Sequence, residues 1–190
     1  MIGYAICGSF CTFSRSLSAL CELLEKGYEV QPIMSERAYS TDTRFYKSEE
    51  FREKLEQLCG RKIIHTVEDA EPLGPKTPLD ALIIAPCTGN TLAKIAHGIT
   101  DSSVTMAAKA HLRCDRPLLI ALASNDAISQ NLGNIASLIT RRGVYFVPLL
   151  QDDPKGKPHS LVAEMSMVTK ALVAMQNGNQ LRPLFLEPKL

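Results

Sequence analysis

Short apolar runs alternate with stretches of helical periodicity along this chain. Strands alternating with helices bury both faces of a sheet, so the sequence predicts an α/β fold. The expected form is a single Rossmann-like three-layer domain over residues 1–190, with a parallel sheet of about six strands and helices on both faces. Residues 80–113 carry this prediction furthest. Residues 81–85 are apolar, too few for a helix and bounded by Pro86, as a buried strand would be. Pro86-Cys87-Thr88-Gly89-Asn90-Thr91 makes a polar turn. Leu92, Ile95, Ala96 and Ile99 then recur at helical spacing, with Gly98 near the stop. Backbone N–H groups at such a helix start lack intrahelical partners, and the dipole there favours negative charge. Thr88 or Asn90 alone would serve as a cap. Four consecutive polar or glycine residues exceed that need and predict an anion site.

The first 27 residues repeat the pattern. Residues 2–7 are an apolar run ending at Gly8, residues 8–12 a turn, and Leu17, Leu20, Cys21 and Leu24 one helical face closed by Gly27. The dinucleotide fingerprint G-x-G-x-x-G is absent, because Phe10 and Phe13 stand where it needs glycine, and no Walker A motif occurs. Residues 28–34 read as a second strand with Ser35 just beyond it, and residues 41–47 as irregular. Phe51, Leu55, Leu58 and Cys59 mark a helix stopped at Gly60, and residues 62–67 a short third strand. Residues 68–78 hold three prolines and a glycine, which predicts a loop over the surface or into the site.

Beyond the central unit, residues 104–112 form a second helix. Lys109, Arg113 and Arg116 near its end read as solvated complements of the helix dipole. Residues 117–123 are a fifth strand followed by the polar turn Ser124-Asn125-Asp126. Leu132, Ile135, Ala136 and Ile139 mark a helix, and residues 144–147 a sixth strand. Leu161, Met165, Val168, Leu172 and Met175 define a C-terminal helix at about residues 160–177, whose broad stripe with adaptable methionines predicts a surface for self-association. In the strand order 3-2-1-4-5-6 the first and fourth strands are neighbours, which brings the turns 8–12 and 86–91 into one crevice.

A formal net charge of +1 gives no general attraction to nucleic acid or membrane, and the absence of tryptophan argues against base stacking. The six cysteines show no C-x-x-C spacing, so no zinc or redox motif and no metal site is expected. No apolar run approaches 18 residues and the start lacks a basic leader pattern, which predicts free thiols in a cytoplasmic protein. Cys7 and Cys11 bracket the first turn, either as small hydrophobes or as a redox pair. His97 and His111 lie on predicted helices away from the turns and read as structural. No residue is assigned a catalytic role.

The central stretch also carries a resemblance. Its turn and helix resemble the Pro-Ala-Ser-Ala-Asn-Thr signature, followed by Lys-Ile-Ala-Asn-Gly-Ile-Ala-Asp, of the flavoproteins that decarboxylate peptidyl or pantothenoyl cysteine. The resemblance places a flavin phosphate against Gly8, Ser9 and Thr12, against Ser35, and against Thr88, Gly89, Asn90 and Thr91. It implies FMN as a possible cofactor. It also shows departures. Counting back eight residues from Asp80, to where those enzymes carry a histidine, gives Pro72. Of their Pro-x-Met-Asn stretch only Asn125 remains. Cysteine decarboxylation is therefore not expected.

Within that superfamily, Pro86 to Thr91, Gly98-Ile99-Thr100-Asp101 and Met106 to Arg113 are similar to the family of dipicolinate synthase B subunits. That resemblance covers nearly the whole chain. It implies a partner, the A subunit of dipicolinate synthase, expected to hold NAD(P). The two together would oxidise dihydrodipicolinate to dipicolinate in the mother cell of a sporulating bacterium. Asn90, Lys94 and Asn125 are the expected contacts to this small dicarboxylate. A flavoprotein without the sporulation role, or a non-catalytic ligand-binding partner, are the alternatives.

Overall fold

The computed structural model describes residues 1–187. In chain order the elements are β1 (Ile2–Ile6), α1 (Phe13–Glu25), β2 (Val30–Met34), α2 (Glu36–Ser40), α3 (Ser48–Cys59), α4 (Val67–Ala70), β3 (Ala81–Thr88), α5 (Gly89–Ala96) and α6 (Ser103–Leu112). They continue as β4 (Leu118–Ser124), α7 (Leu132–Ile139), β5 (Val144–Phe146), β6 (Leu149–Leu150), β7 (Leu161–Ala163) and α8 (Val168–Gln176). Every residue of β1 and β4, and all of β3 up to Cys87, is buried. That is the signature of parallel strands covered on both faces, and it explains their unbroken apolar runs.

The strands run in the order β2-β1-β3-β4, all parallel, so β1 and β3 are neighbours as expected. The sheet is not purely parallel, however. The outer edge of β4 is shared. Its start, from Leu118 to Ile120, pairs parallel with β5, and its end, Ala123 and Ser124, pairs antiparallel with β7, which in turn pairs antiparallel with β6. The two- and three-residue strands β6 and β7 are too short to leave a period in the sequence.

Three further expectations change. The strand expected at residues 62–67 shrinks to one parallel bridge, Ile33 to Ile64. The Thr66 side chain accepts a hydrogen bond from the Asp69 N–H and so caps α4, and the chain turns into helix before a strand can extend. The proline-rich segment 68–78 does not reach a site. Its 3-10 turn, Glu71–Leu73, packs on α6, and Gly74 fits where any Cβ would run into the Ala110 carbonyl. Finally, the helix expected from about residue 160 begins at Val168, because Leu161 belongs to β7. Met165, Val168, Leu172 and Met175 are all within the core, so the stripe expected to serve association is spent on folding.

The sequence predicts a strand end at Pro86, yet β3 runs through it to Thr88. The ladder to β4 shifts register between Ile84 and Cys87, so the missing N–H of Pro86 falls at an irregularity and costs no regular bond. Fully buried Tyr4 and Ser16 fasten α1 to this spot. The Tyr4 hydroxyl donates to the Ser16 carbonyl at 2.8 Å, and Ser16 Oγ donates to the Ala85 carbonyl at 2.5 Å. The first turns of α1 are thereby fixed relative to β1 and to β3 near its end.

Candidate functional site

The C-terminal ends of β1, β3 and β4 open onto a cleft of about 770 Å³. Three turns form its floor: Gly8 to Thr12 after β1, Thr88 to Asn90 leading into α5, and Ala123 to Asp126 at the end of β4. Arg15 on α1, Arg44 and Phe45 from the segment before α3, and Asp152, Lys157, Ser160 and Val162 from the β6–β7 connection complete the walls.

The first turn holds itself through its backbone, the Ser9 N–H donating to the Cys7 carbonyl and the Thr12 N–H to the Ser9 carbonyl. No side chain caps the 3-10 turn Phe10–Thr12 or the start of α1. The Thr12 hydroxyl donates to the Ser9 carbonyl at 2.7 Å, which holds the turn in shape. Phe10 packs tilted on Phe13, with centroids 5.2 Å apart, and anchors the turn to the core.

The second turn is closed. The Thr88 side chain accepts from the Thr91 N–H at 3.2 Å and donates to Thr91 Oγ1 at 3.0 Å. The Thr91 hydroxyl in turn donates to Cys7 Sγ at 3.3 Å, beneath the floor. Burial lifts the Cys7 thiol to about 11 and the Cys87 thiol well above its ordinary value, so both stay protonated and neither acts as a redox thiolate at neutral pH. Gly89 is required by close approach. A Cβ there would lie 2.6 Å from Asn131 Nδ2 and 2.9 Å from Asp126 Oδ1. Asp126 accepts a short hydrogen bond from Ser124 Oγ and another at 2.9 Å from Asn131 Nδ2. The bond from Ser124, aided by Asn131, holds the Asp126 carboxyl below its usual range. A fixed carboxylate of the chain itself therefore sits beside the start of α5.

Of the residues singled out from sequence, the structure gathers Gly8, Ser9, Thr12, Thr88, Gly89, Asn90 and Asn125 around this one cleft. Asn90 and Asn125 are exposed in it. Three others are not part of its lining. Ser35 caps α2 by accepting the Ala38 N–H. Thr91 is buried under the floor. Lys94 forms an ion pair of 2.9 Å with Asp101. The cations facing the cleft are instead Arg15, Arg44 and Lys157. Arg15 is three residues past Thr12 on the first turn of α1, a spacing visible in the sequence. Arg44 and Lys157 arrive from irregular segments that local periodicity cannot place. Lys157 pairs with Asp152 at 3.1 Å, and that hydrogen bond raises its pKa and keeps it cationic. His111 is structural: it is fully buried with Nε2 2.8 Å from the Pro117 carbonyl, and burial lowers its pKa.

Known proteins share this fold. Residues 1–177 match the Flavoprotein family. The dipicolinate synthase B subunit of Bacillus subtilis (strain 168) is 40% identical over 186 residues, 98% of this chain and 93% of that protein. The chain belongs to the family of dipicolinate synthase B subunits. The crystal structure of the dipicolinate synthase B subunit from Bacillus halodurans C superposes with a TM-score of 0.90 at 40% identity, covering 98% of this chain and 96% of that one. A more distant member of the fold, the FMN-dependent cysteine decarboxylase SpaF, gives a TM-score of 0.66 at 25% identity over 92% of this chain and 95% of that one. The B-subunit family is thus a branch of the flavoproteins. The departure at Pro72 is structural as well as chemical: the residue lies in the 3-10 turn against α6, outside the cleft lining. Among the described residues no group of acidic, histidine or cysteine side chains is arranged to hold a metal ion, and no helix is long and apolar enough to cross a membrane.

Proposed function

We propose that this chain is the B subunit of a dipicolinate synthase, which acts with its A subunit to oxidise dihydrodipicolinate to dipicolinate in the cytoplasm of a sporulating mother cell. The observation that carries the proposal is the 40% identity to the Bacillus subtilis protein over 98% of the chain. The dihydropyridine ring loses a hydride and a proton on aromatisation. The hydride would be accepted by the nicotinamide, NAD(P), expected on the A subunit, and the proton would go to solvent.

The cleft supports a role in holding an anion. Its first turn has no side-chain cap and ends at the start of a thirteen-residue helix, a favourable place for phosphate or carboxylate. The residues present fit the phosphate of FMN. Gly8, the Ser9 hydroxyl and the Phe10 and Cys11 N–H groups would hold it, with Thr12 shaping the turn from behind; the Ser9 and Thr12 N–H groups already donate to the Cys7 and Ser9 carbonyls. A bound flavin would supply a ring able to relay that hydride to the nicotinamide. Asn90 and Asn125, projecting from the other two turns, would donate to the substrate carboxylates. Arg15 and Arg44 would supply the fixed positive charge that a dianion needs, since Lys94 is paired to Asp101 and Lys157 to Asp152.

A second reading also has an observation in its favour. No histidine lines the cleft, and Asp126 is held ionised by Ser124 and Asn131. The B subunit then binds ligand and positions the A subunit without moving a proton itself. Both readings exclude cysteine decarboxylation, since Pro72 offers no acid or base, and no carbon dioxide is expected from cysteinyl substrates. Self-association is part of the proposal through surfaces other than the buried α8 stripe.

Co-purification of the two subunits, with dipicolinate formation assayed for each alone and both together, tests the function. Failure to bind the A subunit or to change its rate removes the assignment. Asn90→Ala and Asn125→Ala variants that still bind the A subunit but lose activity place the chemistry in the cleft. Full activity in both makes the second reading the correct one. The visible absorption of the purified chain tests flavin independently of activity.

A further inference from the structure

A second pocket lies at the far end of α5 from the cleft and shares no lining residue with it. Its volume is about 170 Å³. Ile95 and Leu112, both buried, belong to its apolar floor, and half-exposed Ile99 forms one wall. Lys109, Arg113 and Arg141 converge on the rim from two elements: the last turn and C-cap of α6, and the segment after α7. Among the described residues none of the three cations forms an ion pair, whereas Lys94, one turn away on α5, does.

Each feature has a local account. Lys109 and Arg113 complement the C-terminal dipole of α6. Ile99 closes α5 through a C-terminal turn in which Gly98 adopts φ 72° and the Ile99 N–H donates to the Lys94 carbonyl at 2.8 Å. None of these accounts requires Arg141 to meet the other two cations, or an apolar hollow to stay open between them. Three unpaired like charges facing one cavity repel one another, and a bound anion removes that repulsion. A bare phosphate would use the rim and leave the floor wet. An anion with an apolar body uses both, and the volume, below that of drug-sized pockets, limits the body to about one ring.

We propose that this pocket is a binding site for a small monocyclic carboxylate, with the ring against Ile95, Ile99 and Leu112 and the carboxylate between Arg113, Arg141 and Lys109. The site is separate from the cleft and does not depend on the function assigned to it.

Benzoate, with inorganic phosphate as the control anion, tests the site by calorimetric titration and by chemical-shift mapping of the purified chain. Benzoate is expected to perturb the amides around Ile99 and Arg113 and to bind more tightly than phosphate. Removing both guanidinium groups in an Arg113→Gln/Arg141→Gln variant should weaken benzoate at least tenfold, about the loss of one charge-assisted hydrogen bond. An Arg15→Gln variant in the cleft should leave the benzoate-induced shifts around Ile99 and Arg113 intact, and added salt should weaken them. Both arginines are exposed, so the double variant keeps the fold; unchanged circular dichroism verifies this, and Ile99→Asp gives an independent loss of the apolar wall. No binding at millimolar benzoate overturns the proposal. So does equal affinity for phosphate, or a double variant that changes oligomeric mass while binding benzoate as the wild type does.

Discussion

The turns after β1 and β3 occupy equivalent places at the cleft, each following a parallel strand and opening a helix, but they satisfy their polar groups in opposite ways. At the β3 turn, Thr88 caps α5, Thr91 bonds to Cys7, and the carboxylate of Asp126 stands beside Gly89. At the β1 turn no side chain caps the helix, and the nearest atoms to a Cβ at Gly8 would be the Phe10 ring at 3.6 Å, an ordinary contact. The sequence presents the two turns as a matched pair of anion sites. The structure separates them, into one closed by a side-chain cap and one without such a cap, where the Ser9 hydroxyl and the Phe10 and Cys11 N–H groups remain for a ligand. An external anion is thus expected at the first turn rather than shared equally between both.

The glycines give the largest contrast. Gly89→Ala should destabilise the chain by about 2 kcal/mol, the usual cost of overpacking, because Asn131 and Asp126 must move. Gly8→Ala should stay within about 0.5 kcal/mol of wild type. Urea midpoints at constant slope measure both, and equal losses would erase the distinction between the turns.

Ser9→Ala comes next. It should leave stability unchanged and weaken FMN about tenfold, one hydrogen bond to a charged phosphate being worth roughly 1.5 kcal/mol. Quenching of flavin fluorescence on titration reads this directly. Thr88→Ala should do the reverse. Losing the cap costs about 1 kcal/mol in thermal or urea stability, with little change in flavin affinity. A Thr88→Ala variant that keeps its stability but loses flavin would assign the phosphate to the wrong turn.

The smallest effect concerns Asp126. Its folded pKa is depressed, first by the bond from Ser124 and then by Asn131, so its contribution is complete above the unfolded carboxyl value of about 3.9. That stability is lost as pH falls through the lower folded value. Between pH 5 and pH 3 the thermal midpoint of wild type should therefore fall more steeply than that of Asp126→Asn. Parallel curves would mean that the carboxylate adds nothing at the start of α5.

How far the sequence reads ahead of the structure depends on whether the information is local. The alternation of buried runs and helical faces determined the α/β class, because parallel strands covered on both faces read as unbroken apolar runs, and the adjacency of β1 and β3 followed from the common doubly-wound strand order. It also placed Gly8, Ser9, Asn90 and Asn125 at one crevice, since each sits at the C-terminal end of a strand whose position in the sheet was legible. Hydrogen-bond accounting was not legible. That Thr91 turns down to Cys7 and Lys94 sideways to Asp101 depends on partners 84 and 7 residues away in the chain. The same holds for the edge of the sheet, where β7 takes Leu161 from an expected helix because β4 on one side and β6 on the other offer it a ladder. Arg44 and Lys157 face the cleft only because loops of no fixed period are folded over it. Pattern along the chain, taken with the common strand order, indicated which turns meet. Only the tertiary structure decided which of their donors were already spent, because a polar group takes whichever partner the packed chain brings to it.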